Sequence, residues 1–212
     1  CDKSAEASVY CNKDVNAIKS IPGFNNDWDA SFVLINLLSN GASRKNFADL
    51  AKPLKASSKQ NLKYILVRDF WQIFYLGSNE FERIEKREAF FENSKPLRFE
   101  ERLLISIDLL NLLAKKNIRL GIATSRPREE ALFALKQFSL ERFFPKKYLI
   151  SQEDVKREKP FPDSLIEAVK RMQLTNPIFI GDTINDCLAA KAARLPSVYI
   201  GQEQLGDYLI RY

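Results

Sequence analysis

Histidine is absent from all 212 residues. A Ser-His-Asp triad, a Cys-His pair, a histidine-bearing zinc centre and imidazole proton transfer are therefore impossible within this chain. Any catalysis must rest on carboxylates, lysine, threonine or a hard metal ion. Cysteine is scarce: Cys1, Cys11 and Cys187 match the spacing of neither a zinc site nor a disulfide framework, which favours a reducing cytoplasm. Cys187 then reads as a small buried filler on a helix. Long hydrophobic runs are missing too. The most apolar stretches, such as "LLISIDLLNLL", carry polar residues and fall short of the roughly 20 residues needed to span a bilayer. No secretory signal, internal repeat or low-complexity tract is visible, and neither a membrane span nor a membrane partner is expected.

What is present is a chain able to fold. At 45% hydrophobic content, 212 residues can bury a proper core, as one large domain or as a core with a smaller companion. The net charge of +6 comes from basic residues interleaved with acids along the whole length, so no nucleic-acid partner is expected. "KREAFF" and "DVKREKP" read as solvated surface with a bias toward small anionic substrates.

The grammar of the chain changes near residue 95. Before it, patterns are helical. "DWDASFVLINLLSNG" begins with acids, places Phe32, Ile35, Leu37 and Leu38 on one side and stops at Asn40-Gly41. "NLKYILVRDFWQIFYLGSNE" is a second apolar-rich helix ending at Gly77. "ENSKPLRFEE" reads as a linker. From about residue 99, short apolar strands alternate with amphipathic helices. "EERLLISIDLLNLLAKKN" is a helix before the strand "IRLGIAT", Pro127 opens the helix "REEALFALKQF", and "KKYLISQ" is a strand. "FPDSLIEAVKRM", "PIFIGD", "DCLAAKAARL" and "PSVYIG" continue as helix, strand, helix and strand. This order predicts an α/β protein in which a parallel sheet is covered on both faces. The expected division is a helical domain over 1–95 and a Rossmann-like core over 96–212. Ligands of such sheets bind outside the carboxyl ends of the strands.

Three strand ends carry candidate chemistry. Asp182 follows "IFIG" and Asp186 lies on the adjoining turn, so both carboxylates can point across the top of the sheet toward one ion. Mg²⁺ accepts such ligands, usually one or two from protein with waters and phosphate oxygens. The bland alternative is that Asp182 caps the next helix while Asp186 is exposed. Thr124 ends "LGIAT", and its hydroxyl, with backbone N–H groups where the next helix starts at Pro127, forms an anion cradle. Ordinary capping is the alternative. Ser125 belongs to the same turn, while Arg126 and Arg128 are candidates to hold an anionic substrate or plain solvated side chains. Lys159 precedes Pro160 in "EKPFPDS", where the backbone is pushed toward extended geometry. A fixed ammonium there can neutralise phosphate charge.

The order strand-Thr, loop Lys-Pro, strand-Gly-Asp-x-x-x-Asp resembles the haloacid dehalogenase superfamily, in its phosphatase branch with a helical cap. "GIATSRP" is similar to that family's second motif through Thr124, "EKPFPD" to its lysine motif through Lys159, and "IGDTINDCLAA" to its last motif through Asp182 and Asp186. The resemblance implies a Rossmann-type core whose strand ends are closed over by an N-terminal helical cap that excludes water and selects the substrate. It implies a Mg²⁺-dependent hydrolase of small phosphorylated metabolites. Asp182 and Asp186 would hold the metal, Thr124, Ser125, Arg126 and Lys159 would bind substrate, and Thr124, Lys159 and Asp182 would serve catalysis. In the family, an aspartate ending the first core strand attacks phosphorus to form an aspartyl-phosphate, and a second aspartate two residues on protonates the leaving group. That Asp-x-Asp strand is not found here. Asp2 in "CDKS" is the sole formal candidate and has no strand behind it. Alignment on "GFNNDWD" sets the motif upstream by roughly twenty residues, about one helix plus short connections. A sheet without that central strand would leave both of its neighbours with unpaired edges. The rival expectation is a catalytically silent phosphate- or metabolite-binding protein. A dehalogenase or phosphomutase is a third possibility.

Overall fold

The computed structural model describes residues 12–58, 61–201 and 208–210, the last three as backbone alone. Contacts divide the chain into two compact units, Cys1–Arg102 and Leu103–Tyr212.

The first unit is helical: α1 (Asn12–Lys19), α2 (Asp27–Ser39), α3 (Phe47–Ser58), α4 (Leu62–Leu76) and α5 (Ser78–Glu85). Helix α2 starts where the side chain of Asn26 accepts the N–H groups of Trp28 and Asp29 at 2.9 and 3.2 Å, relieving two donors the helix cannot satisfy itself. Helix α4 starts in the same way at Asn61 and ends at Gly77. Gly77 has φ +85°, and a Cβ there would meet Asn93 O and Pro96 at 3.1–3.3 Å, so both conformation and crowding demand glycine.

The core of this unit gathers Ile18, Phe24, Phe32, Val33, Leu37, Phe47 and Ala51. Ile35, expected on the inner side of α2, is 39% exposed. Ala30, Val33, Leu34 and Leu37 follow the helical period onto the core, and Ile35 falls outside it. Trp28 packs edge-on to Trp71 with ring centroids 6.5 Å apart. The segment expected to be a linker is bound to this unit: the amide of Asn93 donates to Ile73 O and Phe74 O, and the turn Leu97–Phe99 packs on α4.

The second unit contains β1 (Ile122–Ala123), β2 (Leu149–Ile150), β3 (Phe179–Gly181), β4 (Ser197–Ile200) and β5 (Tyr208–Ile210). With them run α6 (Ile107–Lys115), α7 (Arg128–Gln137), α8 (Asp163–Met172) and α9 (Ile184–Ala193). Every strand pairing is parallel. Successive strand residues face opposite ways. Ile122 accordingly joins Leu110 of α6 and Leu135 of α7 on one face, while Ala123 and Phe179 join Leu165 of α8 and Ala189 and Ala190 of α9 on the other. At β1 helices thus cover both faces, as the alternation predicted. Helix α6 begins at Ile107 rather than near residue 100, because the Ser106 hydroxyl accepts the N–H of Leu109 at 3.1 Å and caps it there. Strand β5 was not anticipated.

The sheet is in two pieces, β1-β2 and β3-β4-β5. Thr124 N–H donates to Ile150 O at 2.9 Å, so the alternate residue Ala123 turns its backbone groups away from β2. Phe179 N–H donates to Pro196 O at 2.9 Å on the β4 side, so Ile180 likewise turns its own groups away from β4. The Ile180 side chain is 58% exposed, in a kind of sheet whose strands are normally buried on both faces. Among the described residues no strand pairs with these edges of β1 and β3.

Candidate active site at the ends of β1 and β3

The most constrained charge in the second unit is Lys159. Its ammonium donates to Asp186 Oδ1 at 2.6 Å and to Ala123 O at 3.2 Å, on the edge of β1 that no strand among the described residues covers. It also lies 5.7 Å from the centroid of the Phe179 ring, within cation–π range. Both members of the ion pair are buried, with side chains 8% and 6% exposed. A buried charge persists only when paired and hydrogen-bonded, and each of these two supplies the other's partner across 27 residues of sequence. The Lys159–Pro160 peptide bond is cis.

Asp186 is fixed from its other side by the start of α9. Its Oδ2 accepts from the Thr183 hydroxyl at 2.7 Å, Thr183 N at 3.1 Å and Asp182 N at 3.3 Å, while Thr183 Oγ1 accepts from Asp186 N at 3.2 Å. This is a reciprocal capping box with an acid in the third helical position. Gly181 makes room for it: a Cβ at 181 would fall 2.4 Å from Asp186 Cβ and 2.7 Å from its Cγ. Thr183, not Asp182, therefore caps the helix. Asp182 is exposed at the end of β3 and Asp186 is buried, the reverse of the bland alternative.

At the end of β1, the Thr124 hydroxyl accepts the N–H of Arg126 at 3.1 Å and retains a proton to donate. Arg126 O accepts from Gln152 N at 3.2 Å, tying the Thr124–Arg126 turn to the segment after β2. The start of α7 is not an open cradle. Pro127 has no N–H, and the N–H of Arg128 is taken by both oxygens of Glu153 at 3.1 Å. The Arg128 guanidinium pairs with Asp154, which Arg171 also holds at 2.9 Å. Burial pushes the Asp154 carboxyl up, but it is outweighed by hydrogen bonds from the Ser151 backbone and hydroxyl, then by Arg171 and Arg128, leaving the group well below the usual carboxylate range. "DVKREKP" is thus only partly solvated surface, and Arg128 serves the fold.

The haloacid dehalogenase-like hydrolase family profile matches residues 78–200, more than half of the chain. The chain belongs to the haloacid dehalogenase-like hydrolase family. Phosphoglycolate phosphatase of Escherichia coli K12 is 36% identical over 93 residues, which are 43% of this chain and 36% of that protein. Its counterpart in Salmonella paratyphi A is 33% identical over 93 residues. The chain thus spans little more than a third of the length of these curated relatives. Among solved structures, an X-ray structure from a structural genomics consortium gives a TM-score of 0.61 at 19% identity, over 89% of this chain and 73% of that one. A Thermotoga maritima structure described as a candidate β-phosphoglucomutase gives 0.50 at 19% identity, over 95% and 79%. These two show the fold alone: an α/β core of the haloacid dehalogenase type.

In this haloacid dehalogenase-like chain, the structure gathers Lys159, Asp186 and the backbones of Asp182 and Ala123 around one point, with Thr124 next along β1. Ser125 and Arg126 share the Thr124 turn, and Arg126 is exposed. Asp2 lies outside the described residues, as do Cys1 and Cys11. Cys187 is buried on α9 and forms no disulfide.

Among the described residues no group of three or more acids or cysteines is placed to hold a metal ion. Mg²⁺ requires fewer, taking one or two protein carboxylates with waters and substrate oxygens. Asp182, exposed at the strand end, fits that demand directly. Both oxygens of Asp186 are engaged by protein donors. Sequence reading passed over Thr183, Glu153, Asp154 and Phe179, the residues that hold this geometry. The pattern Thr-x-x-Asp at the head of a helix was the available signal for Thr183.

Proposed function

We propose that this chain forms most of a Mg²⁺-dependent phosphatase of small phosphate monoesters, working through an aspartyl-phosphate. The observation that carries this reading is the buried Lys159–Asp186 pair, set against the uncovered edge of β1 beside the end of β3. The similarity to phosphoglycolate phosphatases supports the same chemistry. The nucleophile belongs to a parallel strand, outside these 212 residues, lying between β1 and β3. The backbone groups of Ala123 and Ile180 turned away from their own sheets support that placement. The helical first unit acts as the cap.

Each residue has a distinct task. The carboxylate of the added strand attacks phosphorus as the ester P–O bond breaks, and the leaving oxygen takes its proton from the second aspartate of the Asp-x-Asp pair. Water then cleaves the acyl phosphate, returning the carboxylate and inorganic phosphate. Thr124 donates its hydroxyl proton to a phosphoryl oxygen, and Ser125 and Arg126 hold the substrate beside it. Lys159 brings a fixed positive charge to the same oxygens. Asp182 is the direct metal ligand; Asp186 contributes its charge from behind while orienting Lys159. When bound, Mg²⁺ neutralises charge that develops on the transferring oxygens. The substrate is a small phosphorylated metabolite and the setting cytoplasmic, in keeping with Cys187 standing outside any disulfide. Among the described residues no helix is long and apolar enough to cross a membrane.

The test is phosphate release by the full-length protein from a panel of phosphate monoesters that includes 2-phosphoglycolate. Turnover should require Mg²⁺ and stop with EDTA. Asp182→Asn and Lys159→Gln should each lower kcat by about 10²–10³-fold. Removing one member of a buried pair costs roughly 3–5 kcal/mol, so circular dichroism must first show that the Lys159 variant is folded. Phosphate binding without turnover would favour the silent binding protein instead, and EDTA-insensitive halide release would favour a dehalogenase.

A further inference from the structure

Residues 156–162 form the loop that leads into α8 and carry Lys159 at their middle. Side chains alternate along it: Arg157 and Phe161 are exposed, and Lys159 between them is buried. That is the pattern of extended chain, and a residue before proline, as Lys159 is, favours extended geometry. The outer pair is closed on itself. The Arg157 guanidinium lies over the Phe161 ring, 4.7 Å from its centroid, and forks onto the Asp163 carboxylate, with Nε donating to Oδ2 at 3.1 Å and Nη2 to Oδ1 at 2.8 Å. Those hydrogen bonds hold the Asp163 carboxyl below its ordinary value against the upward push of burial. Asp163 is the first residue of α8, whose N-cap Pro162 supplies no side-chain hydrogen bond, and α8 is fixed to the core through Leu165. The residues two before and two after Lys159 are thus tied together on the solvent side and anchored to the start of a packed helix.

We propose that Arg157 is a positioning residue for Lys159: by clasping Asp163 and Phe161 it closes the loop and holds the buried ammonium against Asp186 and Ala123 O. The inference rests on the role given to Lys159 under the proposed function. Lysine has a flexible four-carbon stem, and this one must place its ammonium on Asp186 Oδ1 at 2.6 Å and on Ala123 O at 3.2 Å at once. A loop that opened at its ends would let that geometry go. Single exposed ion pairs contribute little, but here a two-bond fork and a ring contact converge on one guanidinium. The clasp requires arginine in particular. A planar guanidinium makes two parallel bonds to one carboxylate and lies flat on a ring, whereas an ammonium keeps the charge and loses both. A cation that merely attracted anionic substrates would serve equally well as lysine, so the two roles separate by experiment.

The experiment follows the Lys159 ammonium by proton–nitrogen NMR in the full-length protein, its signal assigned by loss in Lys159→Gln, alongside kcat and KM for a phosphate monoester. A buried, hydrogen-bonded ammonium exchanges its protons slowly with water and gives a sharp Nζ signal. Arg157→Lys and Asp163→Asn should each broaden or abolish that signal. Each should also lower kcat about fivefold with KM little changed, the mark of an interaction that acts in the transition state. The double variant should be no worse than either single one, because each already opens the clasp. A sharp Nζ signal kept in Arg157→Lys would overturn the proposal, whatever the melting temperature does. So would full kcat in a variant whose signal is lost, additive losses in the double variant, or no Nζ signal in the unaltered protein. Absence of turnover in the unaltered protein would instead contradict the phosphatase reading, and the Nζ signal would still decide whether Arg157 holds Lys159.

Discussion

At the scale of residues, the second unit is held by carboxylates that each gather several donors. Asp186 takes Lys159 on one oxygen and three donors from the head of α9 on the other. Asp154 joins Ser151, Arg128 and Arg171. Its carboxyl titrates well below the usual 3.8, and the consequence for acid stability has a definite sign. An unfolded chain takes up this proton near 3.8, while the folded chain holds it off to a lower pH. The stabilisation is therefore fully present above 3.8 and is lost as the pH falls through the folded-state value. Asp154→Asn should lower the thermal midpoint at neutral pH and flatten its decline below 3.8; a decline as steep as in the unaltered protein would show that other groups govern the acid limb. The residues themselves were unevenly legible. Lys159, Asp182 and Asp186 stand in recognisable motifs, but their division of labour does not. Which of two nearby acids is buried depends on Gly181 leaving room for Asp186 to fold back, and that is a matter of space rather than pattern.

At the scale of elements, helix starts carry the site. Among the described residues four of them, α2 at Asn26, α4 at Asn61, α6 at Ser106 and α9 at Thr183, are capped by local side chains, and such caps are written locally in the sequence. Helix α7 is different. Its first N–H is satisfied by Glu153, 25 residues away, and no local pattern announces a partner at that distance. For α9, Thr183→Ala removes a cap hydroxyl that also orients Asp186, so it should cost about 1–2 kcal/mol in urea unfolding. Thr183→Ser, which keeps the hydroxyl, should cost much less; equal losses from both would show that the methyl group, not the hydrogen bond, matters. The strands were legible as apolar runs but came out shorter than those runs. "IRLGIAT" pairs only at Ile122 and Ala123, since a strand extends only as far as a neighbour hydrogen-bonds to it.

At the scale of the whole molecule, the alternation of strands and helices correctly implied a parallel sheet covered on both faces, and the motifs implied the family. The chain order alone did not show how the sheet is divided. Among the described residues, β1 and β3 each pair on one side only, Lys159 reaches the other edge of β1, and Ile180 of β3 is more than half exposed. On the function proposed above, these features share one explanation: the space between β1 and β3 is a strand position, and the residues that flank it would form a phosphatase site once it is filled. Amide hydrogen exchange at Ile180 tests this most directly. In the 212-residue chain, the Ile180 N–H should exchange rapidly while those of Phe179 and Gly181, on the β4 side, are protected; in the full-length protein, Ile180 should become as protected as they are. An Ile180 amide that exchanges equally fast in both would contradict the account.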